Sequence, residues 1–565
     1  MRSGVLLLGA ATIALVATGA TNAADLEPGV KLPPAVWYWS GGYIGGHVGG
    51  GYGRTFFSNP YGPSIYGDVV DTPVFLAGGQ IGYNWQKNGW VFGVELEASG
   101  AISDGTNTCF AASGFILSAN CKAGPNVFAT GTGRIGYSFG ALGRTLVYLK
   151  GGVAWQNNRA DVINRFQGGW SQEKAHFDYG RLGATIGLGV EQALTPAWSV
   201  KAEYDYLHFG GPSVATPPTV QDPPFAILPE NTTGLSSNYH IGKIGLNYHF
   251  GADPWTAQWS DAPPYAKARA GVAPIAYTAG WSFEGGSRLW LSRGRFQWDA
   301  SALGAGGLED PSILISRLTY HGLDGLSGEL FGRLDSPWGV FLKSNIGTGR
   351  FNKGNMNDED WVVPPYLNTI SGQANGRFTY YTTDAGYDFL RGANYKIGGF
   401  IGWTYYEQSS DSTGCVQIAN PIGTCLSPGD DRVMGSQNTQ WNAPRVGLSA
   451  ETMLTERWRL STDVAYLPWT DFKGRDNHLL RWDTTFVEQR GNGGGGVQVE
   501  GVLSYFITKN FSVGVGGRYW AMWTQRDSHL RCIGCGGPGT ISGIQFSKYS
   551  MERWGTFFQA SYRFD

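Results

Sequence analysis

After residue 23 no stretch of this chain approaches the roughly 20 consecutive apolar residues that a membrane-spanning helix needs. Yet from Gly41 onward, segment after segment alternates apolar residues with glycine or polar ones, the period of two of a strand whose faces meet different surroundings. Such a chain can enter a membrane only as a β-barrel, because lipid offers no partner to the backbone groups of an open sheet edge. The start of the chain makes export expected. Met1-Arg2-Ser3-Gly4 precedes an apolar run from Val5 to Val16, and small residues end at Thr21-Asn22-Ala23, the layout of a signal peptide over residues 1–23.

Composition agrees with an exported barrel and excludes other classes. The 565 residues include 86 Gly, 14% are aromatic and only 15% are charged, unlike an ordinary cytosolic protein. Mean hydropathy is only -0.20, so the apolar residues are interspersed rather than massed. The formal net charge of -2 and the lack of a long basic run argue against nucleic acid as a partner. The six cysteines fall as three close pairs, Cys109/Cys121, Cys415/Cys425 and Cys532/Cys535, which in an exported chain point to local disulfides. Cys532-Ile533-Gly534-Cys535 has redox or metal spacing, but no second such pair or nearby His pair completes a zinc site, and no metal or other cofactor is expected.

The alternation is organised in two halves. Gly41 to Phe250 reads as about eight strands, for instance Val127–Phe139, Thr145–Trp155 and His240–Phe250. Short turns such as Lys87-Asn88-Gly89 alternate with longer loops, Ala101–Pro125 and Gly210–Asn238 among them. Residues 251–275 break the pattern with several prolines, as a periplasmic linker would. From Tyr277 to Asp565 about ten longer strands follow, with tight turns near Asp335-Ser336-Pro337, Gly392-Ala393-Asn394, Leu454–Arg457 and Ile507–Asn510. The expected fold is therefore all-β: two antiparallel transmembrane β-barrels, over residues 33–250 and 276–565. A single barrel of about eighteen strands is the alternative.

Two motifs carry chemistry. In a strand, residues i and i+2 share a face, so Asp358 pairs with Asp360 and Asp476 with His478. An imidazole of ordinary pKa near ~6.5 can accept a proton from water near neutrality, an adjacent carboxylate can hold it, and a second carboxylate pair can share the water. Either motif alone is more often a solvated turn. His47, His176, His208, His240, His249, His321 and His529 lack a comparable Asp-x-His pairing and read as ordinary residues. Gly491-Asn492-Gly493-Gly494-Gly495-Gly496 lacks the context of a phosphate loop and reads as a strand segment or bulge.

Pro33-Pro34-Ala35-Val36-Trp37-Tyr38-Trp39-Ser40-Gly41-Gly42-Tyr43-Ile44-Gly45-Gly46 and the strands after it resemble small eight-stranded outer-membrane surface antigens, which implies a membrane anchor or surface protein without catalytic residues. The second half resembles the omptin family of ten-stranded outer-membrane endopeptidases. Gly354-Asn355-Met356-Asn357-Asp358-Glu359-Asp360-Trp361 is similar to that family's Gly-Asn-Met-x-Asp-x-Asp-Trp run, and Asp476-Asn477-His478 to its Asp-x-His. Ser316-Arg317-Leu318 and Pro444-Arg445-Val446-Gly447-Leu448 fall where similar strand sequences occur.

The resemblance implies Asp358, Asp360, Asp476 and His478 as catalytic residues on long outer loops. Water is then the nucleophile, peptides or surface proteins the substrates, outer-membrane lipid the surroundings and the bacterial outer membrane the location. The alternative is a non-enzymatic adhesin or small pore on a degenerate omptin scaffold. Two departures narrow what carries over. Omptins that cleave between basic residues place an acid two positions before the Asp-x-His aspartate, where this chain has Gly474 and then Arg475. The family's Tyr-x-Glu-x-Arg run, which goes with lipopolysaccharide as an activating lipid, stands here as Trp403-Thr404-Tyr405-Tyr406-Glu407 without the Arg. Neither substrate preference nor oligomeric state follows from the sequence.

Overall fold

The computed structural model describes residues 37–564 apart from 113–117, 141, 166–171, 222–225, 251–279, 304–308, 362–365, 420–424, 426–430, 481–483, 526–527 and 536. The expected signal peptide and linker lie outside the described residues. The first part of the chain forms β1 (Gly41–Phe57), β2 (Ser64–Tyr66), β3 (Val69–Lys87), β4 (Trp90–Ser103), β5 (Gly105–Cys109), β6 (Ala111–Ala112) and β7 (Ala119–Phe139). It continues with β8 (Thr145–Arg165), β9 (Gln172–Ala193), β10 (Trp198–Thr216), β11 (Thr219–Gln221), β12 (Ala226–Leu228) and β13 (Asn231–His249). The second part holds β14 (Ser282–Leu303), β15 (Glu309–Asp335), β16 (Val340–Asp360), β17 (Leu367–Gly392), β18 (Tyr395–Ala419), β19 (Val433–Met453) and β20 (Trp458–Leu467). After these come β21 (Thr470–His478), β22 (Phe486–Gly493), β23 (Gly495–Phe506), β24 (Phe511–Trp523), β25 (Ser528–Ile533) and β26 (Gln545–Phe564).

Two rings close, which rules out one barrel of eighteen strands. The first runs β4-β3-β1-β13-β10-β9-β8-β7 and returns from β7 to β4. The second runs β14-β15-β16-β17-β18-β19-β20-β23-β24-β26 and returns from β26 to β14. Above the second ring, β21, β22 and β25 carry the wall further, with β21 on β19, β22 between β21 and β25, and β25 on β26.

Each wall is turned inside out relative to a soluble protein. In β4, Trp90, Phe92, Val94 and Leu96 are exposed while Glu95 and Glu97, on the alternate face, are buried. Leu149, Val153, Leu182 and Ile186 continue that outer band on the first ring. On the second, Leu289, Leu330, Leu342, Ile346, Tyr387, Ile401, Val515 and Phe558 do the same. An apolar outer belt around a polar interior is what hydrocarbon surroundings select.

Paired charges fill the first interior. Lys201 Nζ lies 2.9 Å from Glu95, 3.1 Å from Glu97 and 3.1 Å from Glu203, and Lys243 Nζ lies 2.7 Å from Glu97 and 2.6 Å from Asp205. Lys150 joins the same cluster at 3.2 Å from Glu203. An eight-stranded ring has room for little more than its own side chains. The acidic trio Glu95, Glu97 and Glu203 is thus paired with lysines.

The barrels lie flank to flank. Val48 and Phe75 of the first pack in one cluster with Val464 and Val499 of the second. Phe75 stands 4.9 Å from Tyr466 between ring centroids, and Tyr52 5.7 Å from Tyr519. At the end with the short turns, the Thr145 hydroxyl donates to the Leu454 carbonyl at 2.9 Å.

At the other end the structure corrects the sequence reading. Residues 101–125 and 210–238, expected as loops, contain β5, β6, the start of β7, β11, β12 and the start of β13. The backbone ladder continues past the lipid, but both faces there meet polar surroundings or protein. The alternation cue fades while the hydrogen bonds persist.

Candidate active site

Asp358 and Asp360 lie not on a loop but in the last turn-free residues of β16, and Asp476 and His478 end β21. Asp358 stands opposite Leu318 of β15 and Thr369 of β17, and Asp360 opposite Ser316 and Leu367. They share the face of Met356, which belongs to the interior cluster with Tyr320, so both half-buried carboxylates line the mouth of the second barrel. Asp476 shares a face with Phe472 of the same cluster and is nearly fully buried, while His478 is half-buried. β16 and β21 belong to opposite parts of the ring order.

One side chain stands within electrostatic reach of an aspartate from each motif. Tyr320 is buried, and its phenol pKa is held well above the usual value, first by burial and then by the carboxylates of Asp476, Asp358 and Asp411. Those carboxylates come from β21, β16 and β18, so three strands direct negative charge at one phenol. His478 Nε2 lies 3.6 Å from Asp476 Oδ2, an ion-pair distance longer than a hydrogen bond. Sequence reasoning missed Tyr320, because a lone tyrosine in a strand looks like any wall residue.

Beneath this mouth lies an aromatic floor. Phe472 stacks on Tyr549 at 4.1 Å, lies 4.6 Å from Trp441 and 5.9 Å from Phe296, and Phe296 reaches Tyr320 at 6.4 Å. Deeper still, Trp290, Tyr380 and Trp520 meet edge-on or tilted around the buried Arg518 guanidinium. Below them a cavity of ≈ 120 Å³ is lined by ion pairs such as Arg459 with Glu284 and Lys343 with Asp463. The floor separates the four candidate residues from that charged interior.

Glu359, between the two candidate aspartates, faces the other way and is fully buried on the outer wall. Its carboxylate accepts from the Tyr366 hydroxyl at 2.5 Å and from the Thr108 hydroxyl, a residue of the first barrel, at 2.9 Å. Burial raises its pKa to about 7 against the opposing pull of Arg317, Tyr366 and Thr108. Position 474 carries no acid, and the space a Cβ would take there is met by the Gln489 amide, which accepts from Gln437 at 2.8 Å. Two residues after Glu407 stands Ser409 instead of Arg. Its hydroxyl accepts from Arg377 of β17 at 3.3 Å, so the outer wall carries a guanidinium there from the neighbouring strand.

The three cysteine pairs stand joined: Cys109 to Cys121, Cys415 to Cys425 and Cys532 to Cys535. The first closes β5 onto β7 beside Thr108 and Asn120.

Residues 10–250 match a family model described as outer membrane protein beta-barrel domain, and residues 343–529 match the omptin family. The 31 kDa outer-membrane immunogenic protein of Brucella melitensis is 32% identical over 256 residues, covering 42% of this chain and 98% of that protein. The 25 kDa outer-membrane immunogenic protein of Brucella abortus is 27% identical over 218 residues, covering 36% of this chain and 84% of that protein. Among solved structures, outer membrane protease OmpT from Escherichia coli matches with a TM-score of 0.42 and 15% identity, covering 52% of this chain and 99% of that chain.

Proposed function

From the premise that this bacterial outer-membrane chain belongs to the outer-membrane β-barrel family by its first half and carries an omptin domain in its second, we propose that the second barrel is an endopeptidase working at its outer mouth. The observation that supports this most is the shared electrostatic reach of Asp358 and Asp476 to Tyr320, above a closed aromatic floor. In this reading the His478 imidazole takes a proton from a water as that water attacks the peptide carbonyl. Asp476 stabilises the imidazolium that forms. Asp358 holds the same water from the opposite wall, with Asp360 beside it. The proton then passes from His478 to the leaving amine, and no covalent acyl-enzyme arises.

The neutral Gln489 amide at Gly474 offers no carboxylate to a basic substrate side chain, so we assign no basic preference. Lipopolysaccharide stays in the proposal as an activating lipid, with Arg377 as a cation for its phosphates. The first barrel is read as an anchor without chemistry of its own.

The test is cleavage of a diverse peptide library by the full chain folded in detergent, with and without lipopolysaccharide. Turnover that disappears in both Asp358→Ala and His478→Ala, with a single-phase time course and no burst, supports the peptidase. Correctly folded protein that cleaves nothing in either condition leaves the non-enzymatic surface-protein reading in its place.

A further inference from the structure

The outer extension of the first barrel meets the second barrel directly behind the candidate carboxylates. Arg317 of β15 is fully buried on the outer wall, paired with Asp299 at 2.7 Å. Its remaining nitrogens donate to first-barrel atoms: Thr108 Oγ1 at 2.9 Å, Asn120 Oδ1 at 2.8 Å and Thr106 Oγ1 at 3.4 Å. Thr108 in turn donates to Glu359, and the Trp361 indole donates to Ser118 at 2.6 Å. Ala111, Ile65 and Tyr66 of the first barrel pack with Leu314, Trp361 and Tyr366 of the second.

Arg317, Glu359 and Trp361 of the second barrel each have a partner across this seam. Burying such groups is costly if one side is left unpaired, so the seam marks a fitted contact rather than an accidental touch. On the second barrel's side the bonds run on: the Asn368 amide donates to Tyr366 at 2.9 Å, the Asn357 amide donates to Asn368 at 2.9 Å, and Asn357 meets His321 at 2.7 Å. Asn357 and Glu359 bracket Asp358 in sequence and point outward. Fixing them fixes the backbone dihedrals that aim Asp358 and Asp360 inward.

We propose that the disulfide-closed extension of the first barrel, residues 105–112 and 118–123, is a built-in partner of the second barrel's mouth, with Thr108 and Ser118 acting as positioning residues for the strand that carries Asp358 and Asp360. The first barrel is then part of the working peptidase and not only its neighbour. This rests on the peptidase reading for its functional half, while the docking half stands without it.

Amide hydrogen exchange and peptide cleavage on the full chain test both halves. In Thr108→Val, exchange over residues 354–361 should quicken on the order of tenfold, as expected for losing one hydrogen bond to a charged group. Cleavage should lose kcat with KM unchanged, and Thr108→Ser should restore both. If Thr108→Val does not fold, as judged by exchange in β8, Ser118→Ala provides the same comparison through Trp361. Exchange over residues 354–361 that matches wild type in the folded variants overturns the proposal, whatever the activity. A wild type that cleaves nothing, combined with faster exchange in the variants, overturns the peptidase reading alone and leaves the docking standing.

Discussion

Strand alternation divides Asp358-Glu359-Asp360 between two surroundings: the aspartates face the mouth, and Glu359 faces a buried seam with Arg317, Asp299, Tyr366, Tyr66 and Thr108 about it. An acid whose pKa is about 7 when folded and near its ordinary value of ~4.3 when unfolded keeps its proton longer in the folded state. Stability therefore falls as pH rises from the unfolded value through the folded one, by about 1.4 kcal/mol per unit at most, and is level above. Glu359→Gln cannot ionise, so its thermal midpoint, followed by the gel shift of heated barrels, should lose that slope and exceed wild type at pH 8. A variant with the wild-type slope would remove Glu359 as its source. At the mouth itself, Asp476→Asn should keep the fold and lower kcat by about 10²–10⁴, since a positioned acid–base group contributes on that order. A loss smaller than tenfold in steady-state assays would leave His478 without need of its partner. The sequence made the aspartates and the histidine legible, since their spacing matched a period of two. It could not reveal Glu359's role, because the residues that bury it lie some 250 positions earlier in the chain, at Thr108.

Elements were legible where lipid imposes the pattern and illegible beyond it. Thr145–Trp155 was readable as a strand because Val147, Leu149 and Val153 meet hydrocarbon, yet β8 runs on to Arg165 through polar sequence. The same holds for β16, whose outer part carries the candidate aspartates and looked like a loop. Ring closure also depends on a detail that periodicity does not report. On the seam between β26 and β14, a Cβ added at Gly555 would run into the Leu291 carbonyl and the Ser292 Cα, both backbone and unable to yield. Gly555→Val should thus force the closing strands apart and destabilise the second barrel by about 1–3 kcal/mol, the usual range for overpacking. The measurement is the temperature at which the folded band disappears on unheated-to-heated gels. An unchanged midpoint would mean that the seam has slack the geometry denies.

At the scale of the whole molecule, the sequence distinguishes two barrels but not their contact, because an outer apolar face reads the same whether lipid or another barrel covers it. Gly50 lies against the second barrel on this flank. It faces outward on β1, and a Cβ there would lie 2.5 Å from Val497 Cγ2 and 3.1 Å from Val499 Cγ2. Small residues let backbones approach within a bilayer, where packing rather than water exclusion drives association. Gly50→Leu should therefore separate the flanks within the membrane while leaving each ring's own ladder intact, since the added side chain points away from both interiors. The seam at Thr108, Arg317 and Glu359 lies beyond the apolar belt and shares no residue with this flank, so the two contacts should contribute nearly additively. In calorimetry, wild type should unfold as one coupled transition. Gly50→Leu and Thr108→Val should each broaden it, and the double variant should show two transitions, one for each barrel. A single sharp transition in the double variant would mean that the barrels are coupled through some contact other than these two.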